Sequence, residues 1–309
     1  MLWNLFKFEP KPYNEDFSDT DDGHHIYYRQ FGNPKGVPVL SFHGGPGGSS
    51  RPKYAKLFNK HKYRFIQFDQ RGCGLSTAEE VWRNNTTDFL LDDAKNILDK
   101  LQIKQKIVVH GVSWGSTLAL LFAEKYPDLV QKIVISSVFL AREYDTDWVN
   151  HDSERFYPDL WAIMREKINN KNVYDTYHKM LFADDLQTNT EAMTYLGSYE
   201  YMLGQLNPQF RQQEELSEKE LLSRRIAFKY DEDKYYIREN QIIVNTDRIK
   251  HIPTLIVHNR LDFCCPCKQA WDLHQALPNS KLIINAGFGH SSPKLLKIVK
   301  DELKKEEWN

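Results

Sequence analysis

Apolar residues in this chain gather in short, nearly unbroken runs, separated by stretches in which they recur every three or four positions. The runs His25–Phe31, Val37–Phe42, Tyr63–Phe68, Lys106–His110, Lys132–Ser136, Thr254–His258 and Lys281–Asn285 are rich in β-branched and aromatic residues and short enough for strands. Several are apolar throughout, the pattern of parallel strands covered on both faces. Between them, Thr87–Leu101 sets Leu90, Leu91, Ala94, Ile97, Leu98 and Leu101 along one helical face. Ser116–Tyr126, Lys268–Leu277 and Pro293–Lys304 also read as helices, the first two closed by Pro127 and Pro278. Strands alternating with helices predict an α/β domain with a mostly parallel sheet. The rhythm stops near Ala141 and resumes at Thr254. The intervening stretch is rich in charge and aromatics and reads as helical. The economical arrangement is one sheet built from residues 1–140 and 250–309, with a helical cap, 141–249, inserted before the last strands; a separate second domain is the alternative.

Bulk composition narrows the function. At 309 residues the chain can bury a large core. Its 41 lysines and arginines nearly balance 42 aspartates and glutamates, and no basic tail or stripe points to nucleic acid. No apolar run is long enough to span a bilayer. The opening Met1–Lys7 is apolar but too short and wrongly flanked for a signal peptide, so it is expected to pack on the core as a strand or arm. Of the 4 cysteines, Cys264, Cys265 and Cys267 crowd together, which is neither a disulfide framework nor a zinc site with a second ligand cluster. Reduced thiols and a cytoplasmic location are the expectation.

The candidate chemistry begins at Gly111-Val112-Ser113-Trp114-Gly115, which follows the strand run Lys106–His110 and precedes a helix. A serine between glycines at a strand-to-helix turn is a nucleophile elbow, the signature of the α/β-hydrolase fold. The hydroxyl is held clear of the backbone, and the N–H of the next residue, Trp114, sits at a helix N-terminus where it can donate to an oxyanion. A serine hydroxyl is a weak nucleophile at neutral pH and needs a base, which in turn needs an orienting carboxylate. In this fold they follow in the order Ser, Asp, His. Asp262 comes just after the run Thr254–His258, and His290, framed by Gly287 and Gly289, just after Lys281–Asn285. The second oxyanion donor is expected from His43-Gly44-Gly45-Pro46-Gly47-Gly48, with Gly45 first and Gly44 next, His43 packing beneath as a structural residue. These glycines are not a phosphate loop, since no Gly-Lys-Ser/Thr follows.

With these residues in hand, the chain resembles the proline iminopeptidases, a branch of the α/β-hydrolase serine peptidases. The resemblance runs over nearly the whole length. It rests on His43-Gly44-Gly45-Pro46-Gly47, Asp69-Gln70-Arg71-Gly72-Cys73-Gly74-Leu75-Ser76-Thr77, Asn85-Thr86-Thr87, Ser113-Trp114-Gly115-Ser116-Thr117-Leu118-Ala119-Leu120 and Ala270-Trp271-Asp272-Leu273-His274. It implies an aminopeptidase that removes an N-terminal residue, usually proline, from short peptides, with no cofactor and no metal. It also implies acidic cap residues that grip the substrate's free amine. Tyr199-Glu200 is similar to the family's aromatic-Glu pair, which makes Glu200 the amine anchor. Phe139, after the run Lys132–Ser136, is placed to line the pocket for the N-terminal residue or to pack in the core. Two departures stand out. Arg225-Ile226 is followed by Ala227 where the family has a second glutamate, with Asp231, Glu232 and Asp233 as nearby substitutes. Trp148 is followed by Val149 and Asn150 rather than aromatics. The alternative is an esterase or amidase on the same scaffold with no strict free-amine requirement; a non-catalytic binding protein is a third reading, against which the triad argues. The expected partner is a small peptide, with neither nucleic acid nor membrane.

Overall fold

The computed structural model describes residues 8–168, 172–204, 213 and 215–305; the arm expected at Met1–Lys7 lies outside them. The described chain forms one 9-stranded sheet. In chain order the strands are β1 Asn14–Asp19, β2 His24–Gly32, β3 Val37–Phe42, β4 Tyr63–Phe68, β5 Thr77–Ala78, β6 Ile107–Val112, β7 Val130–Ser136, β8 Thr254–Leu261 and β9 Ser280–Phe288. Spatially they run β1-β2-β4-β3-β6-β7-β8-β9, with β5 beside β2. The pairs from β4 through β9 are parallel, and β2 joins antiparallel to β1, β4 and β5. Four helices flank the sheet: α1 Thr87–Lys100, α2 Trp114–Lys125, α9 Lys268–Ala276 and α10 Pro293–Glu302. Six others fall in 141–249: α3 Glu143–Asn150, α4 Pro158–Ile168, α5 Val173–Leu181, α6 Leu186–Leu203, α7 Glu218–Glu232 and α8 Gln241–Val244.

Alternation of side chains along each central strand sorts them into two layers. Leu40, Ile66, Val109, Ile135 and Ile256 face α1 and α2, packing on Leu90, Ala94, Leu118 and Phe122. Their neighbours Val39, Phe65, Val108, Val134 and Leu255 face α10, packing on Leu295, Leu296 and Val299. The stretch 141–249 carries most of a separate apolar cluster, including Trp161, Tyr177, Leu196, Tyr199 and Phe228. Ile226, Tyr230, Tyr235 and Ile242 instead join the core under the sheet. The last part of the inserted stretch is therefore anchored on the sheet it interrupts.

The strand edges differ from the sequence pattern where local chemistry competes with periodicity. β1 is exposed at all but one position and carries no apolar run, as befits a charged edge strand. β6 runs two residues beyond His110, and α2 begins at Trp114 rather than Ser116, because the whole reversal is made at Ser113. Histidine is tolerated inside buried β6 because His110 Nδ1 pairs with Ser41 Oγ at 2.8 Å. Burial pulls the His110 pKa down to about 3, so the ring stays neutral.

Candidate active site

Ser113 joins β6 to α2 with φ 59° and ψ −130°, a conformation L-residues adopt only under strain. The flanking glycines make this possible. A Cβ on Gly111 would stand 2.0 Å from the Gly115 carbonyl oxygen, and one on Gly115 would stand 2.2 Å from that of Phe42. Strand and helix thus approach backbone to backbone. Ser113 N–H donates to Ser136 O at the end of β7 (3.1 Å), and its carbonyl accepts from Ser116 N and Oγ (2.7 and 2.6 Å).

Asp262 directly follows β8 and is buried. Its Oδ1 accepts from the N–H groups of Cys264 (3.0 Å) and Cys265 (2.9 Å). His290 Nδ1 lies 2.9 Å from Oδ2 and 3.1 Å from Oδ1. Burial pushes the Asp262 pKa up, but the His290 charge and these hydrogen bonds outweigh it and hold the carboxyl below its ordinary value. Burial likewise opposes the His290 charge, and Asp262 overcomes it, so His290 titrates above its ordinary value. The loop carrying His290 is tied to the end of β7 by Ser137 Oγ, which donates to His290 O at 2.5 Å. Ser113 and His290 thus border the same strand end. Among the described residues the Ser113 hydroxyl contacts the Cys265 thiol, itself pushed well up by burial. Asp262, Cys264 and His290 each bring one potential metal-ligand atom within 4.8 Å of the others, and the Asp262–His290 hydrogen bond already engages two of the three.

The glycine loop is held from below. Gln70 N–H donates to His43 Nε2 (3.0 Å), which leaves the ring proton on Nδ1, and Nδ1–H donates to Gly44 O (2.7 Å). Burial keeps this ring neutral by lowering its pKa. Because a trans peptide points its C=O and N–H in opposite directions, pinning Gly44 O on His43 turns the Gly45 N–H away from the ring. Gly44 itself lies against the serine, a Cβ there meeting Val112 O at 3.1 Å and Ser113 Cβ at 3.3 Å. Gln70 also donates to His43 O and accepts from the buried Trp114 indole, both at 3.0 Å, so one side chain braces both loops.

A sequence model of the α/β hydrolase fold family matches residues 37–294. A proline iminopeptidase of Arabidopsis thaliana is 35% identical over 91% of this chain and 76% of its own length. Those of Xylella fastidiosa and Neisseria meningitidis are each 34% identical, covering 92% and 93% of this chain and 93% and 94% of theirs. The chain belongs to the proline iminopeptidase family of α/β-hydrolases. Solved structures carry the same fold at lower identity: a hydrolase of Pseudomonas aeruginosa aligns with TM-score 0.62 and 16% identity over 95% of this chain and 98% of that one. VinJ aligns with TM-score 0.63 and 17% identity over 95% and 99%.

Against that family background, the cap residues occupy distinct settings. Glu200, near the end of α6, is half exposed and ion-paired with Arg224. Its carbonyl accepts from Gly204 N–H, and a Cβ on Gly289, beside His290, would meet Gly204 O at 2.8 Å; the end of α6 therefore leans on the His290 loop. Phe139 is nearly buried, its ring 5.1 Å from that of Tyr235, which lies 5.4 Å from the Trp114 ring. Glu232 and Asp233 both pair with Lys229. Ala227 is partly exposed on α7. Two supports went unread in the sequence. Gln70 lies in a stretch whose sequence signal is its likeness to the family. His258 is a buried neutral ring that accepts from Val138 N (3.1 Å) and donates to Cys265 O (2.8 Å), fixing the loop that cradles Asp262. All four cysteines are free thiols. Among the described residues no helix is long and apolar enough to cross a membrane.

Proposed function

We propose that this chain is a serine aminopeptidase that releases an N-terminal residue, proline foremost, from short peptides through an acyl-enzyme. The observation that carries the reading is a strained Ser113 beside an Asp262-oriented His290, in a chain about a third identical to proline iminopeptidases over nine-tenths of its length.

Ser113 Oγ attacks the carbonyl carbon of the substrate's first residue as His290 Nε2 takes its proton. Asp262 holds Nδ1–H and stabilises the imidazolium that forms. The N–H groups of Trp114 and Gly45 receive the oxyanion, with Gly44 backing the loop. His290 passes the proton to the leaving amine. Water, deprotonated by the same base, then cleaves the ester and regenerates the hydroxyl. Glu200 attracts the substrate's ammonium at the cap rim, and Phe139 walls the pocket for its side chain.

The Glu200–Arg224 ion pair and the absent carboxylate at Ala227 favour, as a second reading, an esterase or amidase indifferent to a free amine. A short peptide with N-terminal proline and its N-acetylated counterpart separate the two. Release of free proline from the first alone supports the aminopeptidase; equal hydrolysis of both overturns it.

A further inference from the structure

An enzyme that cuts behind a free N-terminus must balance a buried ammonium, and a carboxylate already matched by a cation is poorly suited to it. The carboxylates around the site are mostly committed. Asp262 holds His290, Asp145 is bidentate with Arg142, and Glu200 is paired with Arg224. Asp231, in the last turn of α7, is different. Its Oδ2 accepts from Asn150 Nδ2 (3.0 Å) and from the Tyr174 hydroxyl, and its Oδ1 from the Tyr235 hydroxyl (3.0 Å). All three donors are neutral. Burial, reinforced by the Asp231 charge, raises both tyrosines far above their ordinary values, so they stay protonated. Among the described residues no lysine, arginine or histidine forms an ion pair with Asp231. The half-buried carboxylate has no paired cation among the described residues, and three hydrogen bonds hold its position.

Two links join this end of α7 to the glycine loop and the elbow. On α7, Ser223 Oγ donates to Gly47 O in the glycine loop at 2.6 Å, which fixes the side of the helix turned to that loop. Ala227 and Asp231 follow at intervals of four residues along that side. Tyr235, the donor to Asp231, packs its ring on Trp114 and Phe139, next to the nucleophile. The chain is then locked by a left-handed run, Lys234, Tyr235 and Tyr236, with φ of 49°, 57° and 52°. Non-glycine residues adopt this at a cost. Strain at the residue that holds this carboxylate is the kind the rest of a fold supports when position matters.

We propose that Asp231 is the main anchor for the substrate's ammonium group, with Asn150, Tyr174 and Tyr235 as its positioning residues. This rests on the aminopeptidase reading, with Glu200 at the rim assisting. The uncompensated charge attracts a primary or secondary ammonium, and the Phe139–Tyr235 wall sits beside the substrate's first side chain. An acylated terminus, with no charge to offer, leaves Asp231 unmatched.

The test reads binding without peptide turnover: protection of Ser113 against a fluorophosphonate probe by L-prolinamide, with N-acetyl-L-prolinamide as control. Labelling without protectant reports that the site is intact. Asp231→Asn is expected to raise the half-protecting concentration of prolinamide by at least about tenfold, the scale of one charge-assisted hydrogen bond, and by more than Glu200→Gln does. Adding Ala227→Glu to Asp231→Asn, one turn back on the same side, is expected to recover most of the loss. Ala227→Glu alone, in a protein that keeps Asp231, is expected to tighten protection by about threefold or more, a readout independent of how the asparagine variant folds. Unchanged prolinamide protection in Asp231→Asn, or a larger loss in Glu200→Gln, overturns the proposal. If the wild type cleaves no N-terminal proline, the aminopeptidase reading fails separately, and the protection series still decides whether Asp231 binds an ammonium.

Discussion

Replacing Asp262 by asparagine probes the account at its narrowest point, because the surrounding bonds dictate how the new amide must sit. Two backbone N–H groups, from Cys264 and Cys265, converge on Oδ1 at 3.0 and 2.9 Å. The asparagine oxygen must take that place, since an NH2 there would face two donors. The NH2 then occupies the Oδ2 position, 2.9 Å from His290 Nδ1. Two donors cannot share that distance, so His290 shifts its proton to Nε2 and accepts from the amide through Nδ1. The nitrogen meant to take the Ser113 proton now carries one of its own. The expected loss in kcat is about ten-thousand-fold, or about 5 kcal/mol of transition-state stabilisation. A second signature is independent of magnitude. His290 must be neutral to act as base, so wild-type activity falls as pH drops through its raised pKa. Removing the Asp262 charge leaves burial, which favours the neutral ring, and the residual activity of the variant should persist to lower pH than that of the wild type. The assay is the pH dependence of kcat/KM on a prolyl anilide. A loss under about tenfold, or an acid limb that stays put or moves up, would refute the reasoning.

Three further outcomes follow from the surroundings of the site. Gly115→Ala drives a methyl to 2.2 Å from Phe42 O and 2.8 Å from His43 O, both backbone atoms that cannot turn aside; it should cost about 3 kcal/mol, and denaturant melts at wild-type stability would contradict this. His43→Phe keeps the ring's bulk but releases Gly44 O and strands Gln70 N–H, so kcat should fall about 10- to 100-fold with KM little changed; an unchanged kcat would show that the loop holds itself. Arg71→Met removes the bonds of a nearly buried guanidinium to Asp93 (2.7 and 2.8 Å) and Asp22 (2.7 Å). Because burial already pushes the Asp93 pKa up, the stranded carboxylate should cost about 3–5 kcal/mol, and a loss under about 1 kcal/mol would mean that the network is not structural.

What could be read from the chain depended on how local each signal was. Strands β3, β4, β6, β7 and β8 announced themselves because their central stretches are buried on both faces and are dominated by apolar residues. β1 did not, since an exposed edge leaves no apolar trace. The elbow was legible because backbone crowding at Gly111 and Gly115 admits no side chain, a constraint written into five consecutive residues. Asp262 and His290 could be nominated because the fold sets their order and each closes a strand. The supports of that site are tertiary and left no pattern: Gln70 joins loops 27 and 44 residues away, and His258 matters through Val138 and Cys265. The cap was least legible. Nothing around Glu200 foretold Arg224, 24 residues on, and nothing around Asp231 foretold that its neighbours in space would be an amide and two tyrosines rather than a cation.

The central claim is that Ser113 carries an aminopeptidase reaction, and one comparison bears on it most directly: release of 4-nitroaniline from L-prolyl-4-nitroanilide by the wild type and by Ser113→Ala, beside a short acyl ester. The account predicts anilide cleavage by the wild type and none above background in the variant, whose fold is checked by its thermal melt. Cleavage that survives in Ser113→Ala, or a wild type that turns over the ester and leaves the prolyl anilide intact, would contradict it.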